Sequence, residues 1–207
     1  MPPPLLRYEN YRHVECARSY NAGMRQALKL HPDSRCEAVT QIEVELALPS
    51  PGNLLLRYIV TGNMSDLNLP PVTAAARADE LWRHTCFEAF VQAAPGAPYY
   101  EFNFAPSLQW AAYGFSDYRS GMRVASEISA PRVEVQSNGG AYELQASLEL
   151  DRLASLPSDG SWRLGLSAVI EEASGHKSYW ALAHPPGEAD FHHSDCFAHE
   201  IPAARHP

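Results

Sequence analysis

The strongest signal in this chain is alternation with a period of two. Across residues 41–48, Ile42, Val44, Leu46 and Leu48 alternate with Gln41, Glu43, Glu45 and Ala47. Successive side chains of an extended chain point to opposite faces, so this pattern predicts a strand with one face buried. Residues 54–60 form a second run of strand formers. Pro49, Ser50, Pro51, Gly52 and Asn53 lie between them, and the unit reads as a hairpin. The best alternation comes later, where Tyr142, Leu144, Ala146, Leu148 and Leu150 interleave with Glu143, Gln145, Ser147 and Glu149. A Ser-Asn-Gly-Gly turn ending at Gly140 joins it to a strand over 131–135. Further strands are predicted over 81–91, 99–104, 110–115, 162–170, 178–183 and 197–201. Helical spacing is nearly absent, and only residues 151–156 could hold a single turn. Many short antiparallel strands with polar outer faces predict an all-β sandwich without crossover helices.

Composition fits that picture. The chain has 207 residues and is 45% hydrophobic, enough to build a core and too apolar for a disordered chain. Its length suits one domain, placed here at residues 27–207 after an N-terminal extension over 1–26 with weak periodicity. The net charge of −8 disfavours a nucleic-acid partner through repulsion by phosphates. No segment approaches the roughly 18 apolar residues of a membrane span, so no membrane partner is expected. The N-terminus lacks the apolar stretch of a secretory signal, so the expected location is the cytoplasm. The four cysteines show no paired spacing, which predicts free thiols.

Familiar catalytic and nucleotide-binding motifs are missing: there is no P-loop, GxGxxG, GxSxG or HExxH. Four local segments carry candidate chemistry. In 81–91, read as a strand, Trp82, His84, Cys86, Glu88 and Phe90 share one face. A flat ring, an imidazole and a carboxylate in a row suit a sugar, whose CH face stacks on the ring while its hydroxyls bond the polar groups. The same residues could equally be packing. In 99–104, Tyr99, Glu101 and Asn103 face away from apolar Tyr100, Phe102 and Phe104, toward a groove or water. The loop between Gly114 and Gly121 offers Arg119 for a carboxylate or a ring, unless Asp117 holds it. The last segment contains Trp180, His184, His192 and His193. These histidines invite a metal reading, although their spacing is not that of a zinc site. A Glu88–histidine pair could also serve an enzyme acting on a sugar, but no second placed carboxylate is evident.

The runs LWRHTCFEAFV (81–91), YYEFNFAPSLQWAAYGFSDYRSGM (99–122) and SYWALAHPPGEADFHHSDCF (178–197) together resemble bacterial DOMON-like proteins related to family 9 carbohydrate-binding modules. The resemblance extends over roughly residues 28–201. It implies a jelly-roll-like antiparallel β-sandwich and a non-catalytic site for a small sugar or glycan end. In the carbohydrate-binding modules two tryptophans clamp a sugar ring, and a glutamate six residues beyond the first bonds its hydroxyls. Trp82 and Glu88 have that spacing, and Trp180 is the natural candidate for the second wall. The expected ligand-binding set is therefore Trp82, His84, Glu88, Glu101, Asn103, Arg119, Trp180, His184, His192 and His193, with no catalytic residue. DOMON-type sandwiches include haem carriers, so haem or a divalent metal is the alternative. His84, His184, His192, His193 and Met122 would then supply the ligands.

Overall fold

The structure is a computed structural model that describes residues 23–202 except Pro95, Ala154, Ser158 and Asp159. Most of the N-terminal extension expected over 1–26 lies outside the described residues, as do residues 203–207. The first strand among the described residues, β1, runs Met24–Leu30. Eleven more strands follow: β2 Val39–Ala47, β3 Asn53–Gly62, β4 Cys86–Ala94, β5 Tyr99–Phe104, β6 Trp110–Phe115, β7 Arg123–Val124, β8 Arg132–Asn138, β9 Ala141–Glu149, β10 Ser161–Glu171, β11 Lys177–Ala181 and β12 His199–Ile201. Around the turn expected over 151–156, the Leu153 N–H donates to the Leu150 carbonyl and the Leu156 N–H to the Leu153 carbonyl, and the described residues there are not helical. Among the described residues no helix is long and apolar enough to cross a membrane.

All named strand pairs are antiparallel, in the order β7-β6-β5-β4-β10-β11-β1-β2-β3-β9-β8, with β12 also paired to β10. The first sheet holds β1, β2, β3, β9 and β8. The second holds β7, β6, β5, β4, β10 and β11, with β12 beside β10. Strand β1 joins them: residues 24–28 pair with β2, whereas Lys29 and Leu30 pair with Ala181 and Trp180 of β11. The two apolar inner faces close on each other as a β-sandwich.

The first sheet follows its alternation. Ile42, Val44 and Leu46, then Leu54, Leu56, Tyr58 and Val60, then Leu144, Ala146 and Leu148 are buried in one cluster. Each such Leu or Val removed from water contributes on the order of 1.5–3 kcal/mol. The opposite face carries ion pairs, such as Arg57 with Glu143 at 2.7 Å and with Glu45 at 3.1 Å. The Gly139-Gly140 pair closes the β8–β9 hairpin in two residues, since Asn138 faces Ala141 directly.

The second sheet is different, because both of its faces are covered. Its inner face gives Phe87, Ala89, Val91, Phe102, Phe104, Leu164, Leu166, Ala168 and Ile170 to the main core. Its outer face carries Cys86, Phe90, Tyr99, Ala111, Tyr113, Phe115 and Val169, which form a second cluster with Leu81, Phe191 and Phe197 from covering segments. Tyr58 ties the two layers together: its hydroxyl donates a 2.7 Å bond to the backbone carbonyl of Glu88. That bond crosses the sandwich to the residue that forms the floor of the site.

The strand expected over 81–91 starts only at Cys86. Residues Leu81–Arg83 form a single 3₁₀ turn entered through Glu80 in the left-handed region (φ 60°). The ladder with β10 stops at Cys86–Val169 because Thr85 replaces a strand partner with its side chain. Its hydroxyl accepts the Glu171 N–H at 3.1 Å and donates to the Asn68 carbonyl at 2.8 Å.

Candidate ligand-binding site

On the outer face of the second sheet, three neighbouring strands bring polar side chains together. Glu88 of β4 lies opposite Asn103 of β5 and opposite Ser167 of β10, and Glu101 of β5 lies opposite Phe90. These polar positions do not face water: Glu88 is 3%, Glu101 6% and Asn103 0% exposed. The segment between β11 and β12 folds over them and places Phe191, His192 and Phe197 on the sheet. His192 packs edge-on against Phe90 and Phe115, each with ring centres 5.1 Å apart. Of the groove or water expected before this face, the structure shows the groove, covered rather than open to solvent. The cover was not readable from strand periodicity.

A cavity of about 400 Å³ opens over these groups. Its floor is Glu88 and Glu101, and its sides are Trp82, Phe115, Tyr179 and Phe191, with Arg119 and His192 on the rim. Trp82 comes from the 3₁₀ turn, is 37% exposed, and packs edge-on against Tyr113 with ring centres 6.1 Å apart. Arg119 comes from the β6–β7 loop, which doubles back where Gly121 adopts φ 64°. A Cβ there would lie 2.1 Å from the Ser116 hydroxyl, so the tight return needs glycine.

The polar groups are held in a chain. The Asn103 amide donates to Glu101 Oε1 at 2.6 Å. Ser167 donates to Glu88 Oε2 at 3.4 Å. The other Glu101 oxygen, Oε2, lies 3.7 Å from His192 Nε2. His192 Nδ1 lies 2.8 Å from the Tyr99 hydroxyl, which accepts the Arg119 backbone N–H at 3.2 Å. Asp190 holds the Arg119 guanidinium at 2.7 Å, accepts the Tyr118 hydroxyl, and accepts the His192 N–H at 3.1 Å. One aspartate thus ties the Arg119 loop to the covering segment.

Burial sets the ionisation of these groups. It pushes Glu88 well above the usual carboxylate range, and the neighbouring Glu101 charge pushes it further. Glu101 is raised by burial to about 7, against the opposing pull of the Asn103 bond and Arg119. Burial holds His192 down at about 4, with Arg119 adding to the effect. His192 is accordingly neutral at physiological pH, and the two glutamates compete for protons.

Of the residues singled out from sequence, Trp82, Glu88, Glu101, Arg119 and His192 line this cavity, and Asn103 sits beneath it. Four others do not. Trp180 is the main correction. It is 6% exposed and lies in the main core, paired opposite Ala168, with its indole N–H donating to Ser178 at 3.0 Å. Strand parity turns Trp180 inward and leaves its neighbour Tyr179 on the outer face, where it lines the cavity beside Phe191. His84 points to Glu171 at 2.7 Å, outside the cavity. His184 Nε2 donates to the Lys29 carbonyl at 2.8 Å. His193 accepts the Asp195 N–H at 3.2 Å and caps the Ser194–Cys196 turn. Sequence reasoning missed Tyr179, Phe191 and Phe115 as walls and Asp190 as an anchor. The outward parity of Tyr179 was the one available signal.

Of the alternative ligand set for haem or a metal, His84, His184 and His193 lie away from the cavity, whereas His192 and Met122 both line it. Among the described residues, no group of three His, Cys, Asp or Glu side chains is placed to hold a metal ion. In the cavity, His192 Nδ1 is bonded to the Tyr99 hydroxyl at 2.8 Å, and its Nε2 lies 3.7 Å from Glu101 Oε2. The three described cysteines, Cys36, Cys86 and Cys196, are free thiols.

No protein-family model and no curated protein matches the sequence. Among solved structures, a protein from Bacteroides uniformis to which carbohydrate binding has been ascribed is similar over 80% of this chain and 81% of its own, with 14% identity and a TM-score of 0.57. A family 9 carbohydrate-binding module from Caldicellulosiruptor kristjanssonii, solved with cellotriose, is similar over 80% of this chain and 75% of its own, with 8% identity and a TM-score of 0.51. At such identities the likeness is one of fold: an antiparallel β-sandwich like that of these modules.

Proposed function

We propose that this chain is a non-catalytic carbohydrate-binding sandwich, and that its ligand, a small sugar or glycan end, enters the cavity above Glu88 and Glu101. One observation carries the reading: aromatic walls from three separate segments surround a floor of buried carboxylates. A pyranose has this same duality, with apolar CH faces and a rim of hydroxyls. Trp82, Phe115, Tyr179 and Phe191 offer surfaces for the first, and Glu88, Glu101 and Arg119 offer partners for the second. The likeness in fold to sandwiches linked to carbohydrate binding supports it. The three sequence runs further support kinship with bacterial DOMON-like proteins.

The test is calorimetric titration with a panel of neutral mono- and disaccharides. Binding should be present in the native chain and lost in Trp82→Ala and in Phe191→Ala with the fold retained. Undiminished affinity in both variants would overturn the assignment.

A second reading has one observation in its favour. Glu101, at about 7, lies beside Glu88 and His192, and a pair of carboxyls of differing affinity for protons is the equipment of acid–base chemistry on glycosides. Release of nitrophenol from nitrophenyl glycosides, abolished by Glu88→Gln, would establish it.

A further inference from the structure

The floor of the cavity is more acidic than a neutral sugar requires. Two carboxyl groups, both more than nine-tenths buried, sit at diagonal positions on adjacent strands, and each has one oxygen in a hydrogen bond with a described residue. Glu88 Oε1 has no such donor, and Glu101 Oε2 has only the His192 ring at 3.7 Å. The arginine lining the cavity compensates only in part: Arg119 draws both carboxyls downward, but its guanidinium is bound to Asp190 at 2.7 Å and burial still holds both carboxyls up. The remaining groups facing the pair bring no positive charge. His192 is neutral, Cys86, Tyr99 and Ser167 are uncharged, and Tyr113 is bonded to the carboxylate of Asp79 at 2.6 Å. An acidic sugar would meet Glu88, Glu101 and Asp190 against one shared arginine. Buried like charges of this kind are relieved by a cation or by a retained proton.

We infer that the cavity selects a sugar carrying a protonated primary amine, seated with its ammonium between the Glu88 and Glu101 carboxylates and its ring against the aromatic walls. This rests on the carbohydrate reading and narrows it to amino sugars. The ammonium supplies three donors to the open carboxylate oxygens, and its charge takes the place of the proton that burial otherwise keeps on the pair. Aromatic faces beside the carboxylates favour a cation further. In the empty site Glu88 keeps its proton near neutrality, and Glu101 holds a second one below about pH 7. When the ammonium enters, the protons held by the pair leave to solvent and both carboxylates are ionised.

The experiment is calorimetry on the full chain with D-glucosamine, D-glucose, N-acetyl-D-glucosamine and ethanolamine, repeated in buffers of different ionisation enthalpy. Glucosamine should bind about tenfold or more tightly than glucose or the N-acetyl sugar, as expected for charge-assisted bonds in a buried site. Its binding should release protons, with more released below about pH 7 where Glu101 is protonated as well as Glu88, and should strengthen as pH rises until the amine itself deprotonates. Glu101→Gln should reduce both the preference and the proton release, leaving only the share carried by Glu88. The proton count in the native chain tests the inference even if that variant folds poorly. Equal or tighter binding of glucose, without proton release, overturns the inference and leaves the carbohydrate reading standing. Ethanolamine binding as tightly as glucosamine shows an amine site that does not read the sugar, and overturns it as well. Failure of all three sugars and of the neutral panel overturns both.

Discussion

Asn103 and Glu101 lie two residues apart on β5, and the Asn103 amide donates a 2.6 Å hydrogen bond to the Glu101 carboxyl. The two side chains share the outer face because strand parity puts them there, and the bond fixes the carboxyl against the sheet. Asn103 is fully buried, so its removal takes from Glu101 the donor that holds its carboxyl. Asn103→Ala should destabilise the fold by about 1–3 kcal/mol in urea denaturation at neutral pH. It should also move the Glu101 titration upward in carboxyl-resolved NMR, because the bond favours the ionised form. An unchanged Glu101 titration would show that the bond does not govern its charge.

The pH dependence of stability has two opposing parts. Glu101 is held at about 7 in the folded chain, above its ordinary 4.5. Its contribution is fully present below 4.5 and is lost as pH rises to about 7, with a slope of no more than about 1.4 kcal/mol per pH unit. Glu88 acts in the same direction. His192 is held at about 4, below its ordinary 6.5, so its contribution is present above 6.5 and lost as pH falls toward 4. Measured by denaturation across this range, the native chain should lose stability relative to Glu101→Gln as pH rises from 4.5 to 7. Relative to His192→Gln it should lose stability as pH falls from 6.5 to 4. Parallel curves for native chain and variant would contradict the assigned burial of that group.

Two tryptophans from the motif segments should behave oppositely. Trp180→Ala removes an indole from the interior and should cost about 3–5 kcal/mol of stability. Trp82 is more than a third exposed, so Trp82→Ala should cost far less while eliminating sugar binding. Thermal melts paired with titration separate the effects. A Trp82→Ala protein as unstable as Trp180→Ala would place that ring in the packing rather than in the site.

These differences follow what a one-dimensional pattern can carry. The first sheet was legible because one of its faces meets core and the other meets water, and the sequence alternates accordingly. The second sheet is buried on both sides, and alternation there sorts core residues from site residues without revealing the cover. Glu88, Glu101, Arg119 and His192 were legible as polar groups in an apolar context. Trp180 was misplaced because the family resemblance was followed, whereas its pairing with Ala168 on β10 turns it inward. The Leu81–Arg83 turn was read as strand because the side chain of Thr85, which ends the ladder, gives no compositional signal. Asp190 was invisible as an anchor because two of its three partners, Tyr118 and Arg119, lie in a loop 72 and 71 residues away in sequence.

Asp190 is also where the two segments around the cavity are joined. It binds Arg119 and Tyr118 from the β6–β7 loop and the His192 N–H from the covering segment. Arg119 itself sits in the left-handed region at φ 49°, a conformation unfavourable for its side chain that persists only while its surroundings impose it. Asp190→Ala removes that imposition and leaves a partly buried guanidinium without its counter-charge. The unpaired Arg119 then acts more strongly on the carboxylates, so Glu101 should titrate lower than about 7, since this arginine already draws it downward. Hydrogen exchange should rise in both the 116–122 loop and the 188–193 segment while the amides of β4, β5 and β10 stay protected. Sugar affinity should fall through faster dissociation. Faster exchange in one segment alone, with the other unchanged, would show that Asp190 anchors its own loop and does not couple the two.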